Sequence, residues 1–240
     1  MDIPQKVLVW DLPTRLFHWL LALAIPAALA SGLAGGEWMQ WHGRLGLFIL
    51  GLVTFRLTWG FVGSRHARFA SFVRGPAAIG AYLRGEWRGH GHNPLGALSV
   101  LAMLALIALQ IGSGLFANDD IAFRGPLADL AGDDWSARLT SLHALTQWGL
   151  IGVVVLHAVA IIYYVRVRRE RLVRPMLSGF KEVVPASEAQ QPAGEPPPST
   201  STRRAIAFVL ASAIASATVY AAAGGLAPKP VVVSAPAPAW

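Results

Sequence analysis

Five long runs of apolar residues dominate the chain. They lie at about 15–35, 42–62, 94–116, 143–165 and 205–223. Each approaches or exceeds the roughly 20 residues that an α-helix needs to cross the hydrocarbon core of a bilayer. The short turn between the first two runs predicts that they form an antiparallel hairpin. The pattern therefore predicts an all-α membrane protein with five transmembrane helices.

The composition agrees with a membrane protein. Of the 240 residues, 54% are hydrophobic and only 14% are charged, and the mean hydropathy is +0.48. These values lie outside the range of ordinary soluble domains. The chain has no cysteine, which excludes disulfides, iron–sulfur clusters, thiolate zinc sites and covalently attached c-type haem. A bound metal or haem must therefore be held by histidine, methionine or carboxylate.

The charged residues are divided unevenly between the loops. The 63–93 connection carries five arginines and one glutamate, and the segment 166–174 after the fourth run carries five more arginines. The 117–142 connection instead carries five aspartates and two arginines. Because basic residues collect on the cytoplasmic side of membranes, we expect a cytoplasmic N-terminus and a periplasmic C-terminus. The basic residues behind the net charge of +7 are then explained by the orientation of the protein in the membrane, and no nucleic-acid partner is expected.

The chain changes character after the fourth run. Residues 1–177 are predicted to form one four-helix bundle, and residues 178–204, rich in Pro, Ser, Ala and Glu, a flexible cytoplasmic linker. The fifth helix, 205–223, contains small residues that suit close helix contact, and 224–240 is predicted to be a Pro/Ala-rich periplasmic tail. The fifth helix is predicted to be an anchor or packing helix, with a possible role in a homo-oligomer or a complex.

Four histidines fall within the first, second and fourth runs. His143 and His157 are fourteen residues apart, which turns a helix about 1400°, within about 40° of four full turns. Both therefore lie on one helix face, separated by about 21 Å along the axis. The hairpin of the first two helices places His42 at the outer level with His143, and His18 toward the inner level with His157.

Two pairs of imidazoles that face each other across helices suit the axial positions of two six-coordinate haem irons. We therefore predict a bundle that holds two b haems, one between His42 and His143 and one between His18 and His157. Such an iron has no open position, so the predicted chemistry is electron transfer. A non-redox membrane transporter or scaffold is an alternative, and it would be colourless.

Three arginines are further candidates for binding the cofactor. Arg56 follows His42 by fourteen residues, and a haem propionate is its predicted partner inside the membrane. Snorkelling toward lipid headgroups is the alternative. Arg15 and Arg44 lie near His18 and His42, where interfacial charge explains them equally well.

Several other residues have less specific patterns. Seven glycines on the second, third and fourth helices could let a flat macrocycle approach the backbone, although ordinary helix packing explains each of them equally well. They are Gly43, Gly46, Gly51, Gly112, Gly114, Gly149 and Gly152. The histidines of the basic loop, His66, His90 and His92, are expected in solvent.

Three stretches resemble one family. They are VWDLPTRLFHWLLALAIPAALASG, WHGRLGLFILGLVTFRLTWGFVG and SLHALTQWGLIGVVVLHAV, and they resemble the bacterial cytochrome b561 family, which includes the b-type cytochrome subunits of nickel–iron hydrogenases. The resemblance covers about residues 7–180. It implies two b haems bound by His18, His42, His143 and His157 in a bundle of the bacterial inner membrane. It also implies electron transfer between the quinone pool and a periplasmic redox partner.

The acidic loop 117–142 is the expected docking face for that partner. A lysine-rich c-type cytochrome would be steered to it by complementary charge, and a hydrogenase-type subunit is the nearest variant. A quinone-coupled superoxide oxidase, as in some family members, is a second class of function. The loop carries two arginines against five aspartates, a net charge of −3 that disfavours attraction of an anionic substrate.

Overall fold

The structure is a computed structural model that describes residues 5–73, 75–86, 93–121, 123–183 and 201–226. Most of the predicted linker, the predicted tail beyond 226, and Arg74, Arg88, His90 and His92 lie outside the described residues. Within them, the elements in chain order are β1 Gln5–Leu8, α1 Leu12–Ala34, α2 Trp38–Val62, a 3-10 turn Arg65–Ala67, α3 Phe69–Phe72, α4 Pro76–Leu83, α5 Pro94–Leu115, α6 Ala128–Ala131, α7 Asp133–Arg166, α8 Val173–Ser178, β2 Phe180–Val183 and α9 Ser201–Tyr220, which continues as a π turn Ala221–Gly225. In this part of the chain, α1, α2, α5, α7 and α9 with its π turn are long and apolar enough to cross a membrane.

The largest difference from the predicted bounds is at the start of α7. The helix begins at Asp133, ten residues before the predicted start at 143. Gly132, at φ 72°, ends the preceding turn, and Asp133 and Asp134 occupy the first turn of the helix. Acidic side chains stabilise that position through the helix dipole. Two of the acids that indicated a loop, Asp133 and Asp134, therefore belong to the helix. His143 lies about three turns after the start of α7 and not at its first residue.

The start of α1 is fixed by one aspartate. Asp11 is the N-cap, and its Oδ1 accepts a 2.9 Å hydrogen bond from the backbone N–H of Thr14. Its other oxygen, Oδ2, accepts a 3.0 Å hydrogen bond from Nε1 of Trp59, near the end of α2. Asp11 and Pro13 are the residues whose sequence pattern predicts a helix start. The same carboxylate therefore caps α1 and ties it to the far end of its hairpin partner.

Four helices pack in series. Close packing joins α1 to α2, α2 to α5, and α5 to α7. Their shared core contains Ala24 of α1, Ile49 and Val53 of α2, Ile107 of α5 and Leu150 of α7. Helix α7 packs closely along α5. Its residue Leu150 also belongs to the buried cluster formed by residues of α1 and α2.

Helix α9 packs along α2 of the same chain. Its small residues Ala207, Ala211 and Ala215 are buried, with Ala211 0% exposed. Gly51 of α2 faces α9, since a Cβ there would lie 3.1 Å from Cγ2 of Val219. The predicted small-residue face of this helix is thus covered within the chain. An oligomer through this helix would have to use its other face.

The segment before α1 and the segment after α7 meet at the same end of the bundle. Strands β1 and β2 pair antiparallel, with Lys6 opposite Glu182. Arg15 of α1 donates to the carbonyl oxygen of Leu177, and Trp19 Nε1 donates to that of Met176 at 3.2 Å. The predicted linker from 178 therefore begins with a paired strand. This pairing places the start of α1 and the end of α7 on the same side, as four crossings require.

A cavity of about 1240 Å³ opens at this end. Seven of its lining residues are arginine or lysine, and most of these lie in the segment between α7 and α8 or in the two strands. The four histidines of the membrane helices are not among its lining residues. Tyr82 of α4 lines it and shares a hydrogen bond between hydroxyls with Tyr164, while Asn93 Nδ2 donates to Tyr82 at 3.0 Å. Burial, followed by the hydrogen bond to Tyr164, raises the pKa of Tyr82 to about 12. These contacts hold the 63–93 connection against α7.

We predict that Asp11→Ala destabilises the fold by about 1–2 kcal/mol, the usual cost of losing an N-cap, with a further loss from the Trp59 bond. Thermal unfolding of the detergent-solubilised protein measures the change. Asp129→Ala is the control, because Asp129 forms an exposed pair with Arg124 that should contribute less than about 1 kcal/mol. Equal midpoints for the two variants would show that Asp11 does not tie α1 to α2.

Candidate functional site

His42 and His143 come together between α2 and α7. Their ring centroids are 5.9 Å apart, and the ring planes are nearly perpendicular, at 88°. Two imidazole nitrogens that bind one metal ion from opposite sides, at about 2.0–2.1 Å each, would place the ring centroids roughly 6 Å apart. The separation of this pair therefore fits two axial ligands of one iron.

Each of these rings is held by a backbone carbonyl of a neighbouring helix. Nδ1 of His42 lies 2.8 Å from the carbonyl oxygen of Ala28 in α1, and Nδ1 of His143 lies 2.8 Å from that of Gln110 in α5. A carbonyl can only accept, so Nδ1 carries the hydrogen in both rings. The lone pair is then on Nε2, which is the tautomer and orientation typical of metal-binding histidines.

Two glycines make room for the rings. A Cβ at Gly32 of α1 would lie 2.9 Å from Nδ1 of His42, and a Cβ at Gly114 of α5 would lie 2.8 Å from Cε1 of His143. Gly114 is among the glycines that the sequence pattern indicates. Gly32 and the two acceptor carbonyls were not predicted, because their role depends on which helix face meets which ring.

Phe123 connects this pair to the acidic loop. Its ring lies edge-on to His42, with centroids 6.2 Å apart, and Gly43 accommodates it, since a Cβ there would lie 2.8 Å from Cε2 of Phe123. Phe123 therefore places a residue of the 117–142 connection directly against one of the paired histidines. Sequence reasoning missed it because an aromatic residue in a loop has no periodic signal.

His18 and His157 form a looser pair between α1 and α7. They are close enough to interact electrostatically, and both side chains are partly buried. Among the described residues, Nδ1 of His18 is buried and has no hydrogen-bond partner. His18 lies about 9 Å from the start of α1 and His157 about 14 Å from the end of α7, at about 1.5 Å per residue. The two histidines therefore lie at different distances from the ends of their helices, by about 5 Å.

Arg56 lies at the level of this second pair. Its side chain is only 3% exposed, and its guanidinium lies 4.8 Å from the ring centroid of Phe69. Asp11 attracts it electrostatically, but its Nη1 has no hydrogen-bond partner in the part of the chain that the structure describes. A guanidinium enclosed by protein does not reach the headgroups, so the structure disfavours snorkelling. An unsatisfied buried N–H is suited to an anionic partner.

The other two arginines lie elsewhere. Arg15 points to α8, where it donates to the carbonyl oxygen of Leu177. Arg44 is exposed, and its guanidinium lies 5.0 Å from the ring centroid of Trp41. The contacts described for these two arginines are therefore with α8 and with Trp41, and not with the paired histidines.

The paired residues form two levels separated by an aliphatic layer. On α7, Leu150 lies seven residues from both His143 and His157, and on α2, Ile49 lies seven residues from both His42 and Arg56. Leu150 and Ile49 belong to one buried cluster. Seven residues correspond to about 10.5 Å along a helix, so each polar level lies about that far from the layer.

The donor set at each level consists of two imidazoles. Within the described ranges, no three histidine or carboxylate side chains gather where they could hold a metal ion. Two imidazoles alone do not complete the shell of a bare ion, whereas a haem iron needs only axial ligands from the protein because its macrocycle supplies the rest. The residues at the His42–His143 level therefore fit a haem better than a free metal.

Comparison with known proteins identifies the family. The model of the family described as prokaryotic cytochrome b561 matches residues 9–179, and the chain belongs to this family. This confirms the resemblance drawn from the sequence, and the five membrane-length helices confirm the all-α membrane fold. The chain is a multi-pass membrane protein that transfers electrons through b haem.

Three curated relatives carry the same name, probable Ni/Fe-hydrogenase B-type cytochrome subunit. That of Azotobacter chroococcum mcd 1 is 26% identical, over 73% of this chain and 88% of its own length. Those of Rhodobacter capsulatus and Azotobacter vinelandii are both 25% identical over 73% of this chain, covering 81% and 88% of their own lengths. No solved structure gives a significant match. The family match ends at residue 179, before α9.

Proposed function

We propose that the chain binds two b haems and carries electrons across the bacterial inner membrane, between the quinone pool and a redox partner on the periplasmic side. The observation that carries the proposal is the His42–His143 pair, 5.9 Å apart, with both Nδ1 atoms bonded to carbonyls. When bound between two imidazoles, a haem iron alternates between its ferric and ferrous states and has no open position for a substrate.

The residues of the first level hold and orient the ligand nitrogens. The carbonyl oxygens of Ala28 and Gln110 accept from Nδ1, so the lone pair of each neutral ring is on Nε2. Phe123 covers the edge of His42 on the side of the acidic loop. The chain thus supplies a rigid ligand pair close to its surface.

The residues of the second level are His18, His157 and Arg56. The fourteen-residue spacing on α7 places His157 on the same face as His143, and His18 approaches it from α1. Arg56, with its unsatisfied Nη1, would bind a haem propionate there. Two levels on either side of the Ile49–Leu150 layer support the proposal of two haems.

The orientation follows from charge. The end of the bundle that contains β1, β2 and the end of α7 carries the arginine-rich segments, which favours a cytoplasmic position for this end and for the N-terminus. The His42–His143 level and the acidic loop would then face the periplasm. With five crossings, the C-terminus would then also lie on the periplasmic side.

The 117–142 connection is our proposed docking face. All five of its aspartates are exposed, and among them lie the exposed apolar side chains Ile121, Leu130 and Trp135, at 93%, 77% and 60% exposure. An apolar centre with a charged rim is typical of protein interfaces, and Phe123 links this face to His42. The names of the relatives favour a hydrogenase-type subunit as partner, and a basic c-type cytochrome would use the same charges.

We predict that histidine replacements remove haem in pairs. His42→Ala and His143→Ala should each lower the haem content from two per chain to one and remove the same spectral component, whereas His18→Ala and His157→Ala should remove the other. Pyridine haemochrome content and redox-resolved visible spectra of the purified protein measure this. His66→Ala, outside the membrane helices, is the control and should retain both haems. Loss of both haems, or of neither, in the His42 and His18 variants would contradict the pairing.

We predict that Arg56→Gln lowers the midpoint potential of the haem held by His18 and His157. A buried positive charge favours the reduced state of a nearby centre, and the amide removes that charge while keeping a hydrogen-bond donor. Spectroelectrochemical titration resolves the two haems. Arg44→Gln, which alters an exposed arginine stacked on Trp41, should leave both potentials unchanged. If only the midpoint potential of the His42–His143 haem shifted, Arg56 would not lie beside the His18–His157 haem, and the prediction would be wrong.

We predict that the double variant Asp133→Asn, Asp134→Asn slows electron transfer to a lysine-rich c-type cytochrome several-fold at low ionic strength. The steering charge is reduced, so the salt dependence of the rate should weaken as well. Stopped-flow oxidation of the reduced protein measures both. Glu170→Gln, at the basic end of the bundle, is the control. An unchanged rate and salt dependence would exclude docking at this face.

A further inference from the structure

The two rings of the His42–His143 pair are held by the same short motif on two different helices. On α1 it is ALASG, residues 28–32, and on α5 it is QIGSG, residues 110–114. In each motif the first residue supplies the carbonyl that accepts from the imidazole, at 2.8 Å in both cases. The motif therefore recurs on α1 for His42 and on α5 for His143.

The serine three residues on takes the same part in both motifs. Ser31 Oγ donates to the carbonyl oxygen of Ala28 at 2.9 Å, and Ser113 Oγ donates to that of Gln110 at 3.1 Å. Both serines are buried, at 5% and 2% exposure. Ser113 shares its single hydroxyl hydrogen with the carbonyl oxygen of Leu109, at 2.8 Å, and its Oγ lies 3.4 Å from Nδ1 of His143. Each acceptor carbonyl thus has a hydroxyl beside it as well as an imidazole, and on α5 the hydroxyl also lies beside the imidazole.

The glycine four residues on explains why the carbonyl is accessible. In a helix, the carbonyl oxygen of residue i bonds the N–H of residue i+4, and the side chain of that later residue covers the oxygen from outside. Gly32 and Gly114 have no Cβ, and a Cβ at either position would lie within 3.0 Å of the imidazole. The glycines therefore open a helix carbonyl to a second partner from the neighbouring helix.

We propose that these two Ser–Gly steps are a matched pair of positioning elements, which set the rotation and the Nδ1–H bond of both axial histidines at one haem. The proposal rests on the proposed function, since it requires a haem at this pair. Its physical consequence is twofold. The ring planes are held nearly perpendicular, at 88°, and the bond to the carbonyl makes each imidazole a stronger electron donor.

The second level contrasts with this arrangement. Nδ1 of His18 is buried without a hydrogen-bond partner among the described residues, so no such carbonyl holds its ring. The two haems should therefore differ in the donor strength of their ligands. A haem iron held between two imidazoles with nearly perpendicular planes would give a highly anisotropic low-spin ferric EPR signal, and we expect that signal from a haem at His42 and His143.

The test uses the purified full chain with its haems, and compares Gly32→Ala and Gly114→Ala with controls on the same helices. Exposed Leu98→Ala is the control on α5, and exposed Leu33→Ala is the control on α1. We expect each glycine variant to weaken or shift the anisotropic EPR signal and to raise the midpoint potential of that haem alone. The controls should leave the signal and both potentials unchanged.

Close helix packing alone would give a different result. If the glycine variants lower thermal stability but leave the EPR signal and potential of this haem unchanged, or change both haems alike, the proposal is overturned. If a glycine variant fails to fold, Ser31→Ala and Ser113→Ala test the proposal instead, because each removes only a hydroxyl. Each should shift the potential of the same haem, and no shift in either would overturn the proposal. A wild-type protein without haem at the His42–His143 pair would instead refute the proposed function.

Discussion

An imidazole inside a membrane must find its hydrogen-bond partner within the protein, because lipid offers none. His42 and His143 meet this constraint through two neighbouring helices: α1 supplies the carbonyl for His42, and α5 supplies the carbonyl for His143. Each bond ties a helix that carries one of the paired histidines to a supporting helix. The four helices are therefore joined as α1 with α2 and α5 with α7, and the two pairs meet where the histidine rings face each other.

The aliphatic layer gives the same bundle a second level. Ile49 and Leu150 each lie midway, seven residues from a polar residue on either side. Every heptad step keeps a residue on nearly the same face, since seven residues make almost two turns. A helix can thus present a polar residue, an apolar one and a second polar one to the same neighbour. This arrangement separates the two histidine pairs by a layer of buried aliphatic side chains.

The parts of this design that could be predicted from the sequence are those that follow from the regularity of a single helix. The fourteen-residue interval between His143 and His157 fixes their face and depth, and Asp11 with Pro13 marks the start of α1. The start of α7 could not be found in this way, because Asp133 and Asp134 have the composition of a loop while favouring a helix N-terminus. Pairing of β1 with β2 joins segments at opposite ends of the bundle sequence, so no local pattern indicates it. Gly32, Phe123 and the acceptor carbonyls depend on the rotation of one helix against another, although the repeated Ser–Gly dipeptide was visible and could have suggested Gly32.

Helix α2 also explains how a fifth helix can be added to the family's bundle without disturbing the site. Gly51 is nine residues after His42, which places it about 180° away on the helix, and it is there that α9 packs. Phe208 of α9 adds contacts with Phe55 and Trp59 on the same side. The face of α2 that carries His42, Ile49 and Arg56 remains turned toward the other helices. Because Trp59 also donates to Asp11, the packing of α9 supports the end of α2 near Arg56. The added helix therefore stabilises the second level from the far side of α2, while both histidine pairs lie among α1, α2, α5 and α7, the helices within the family match.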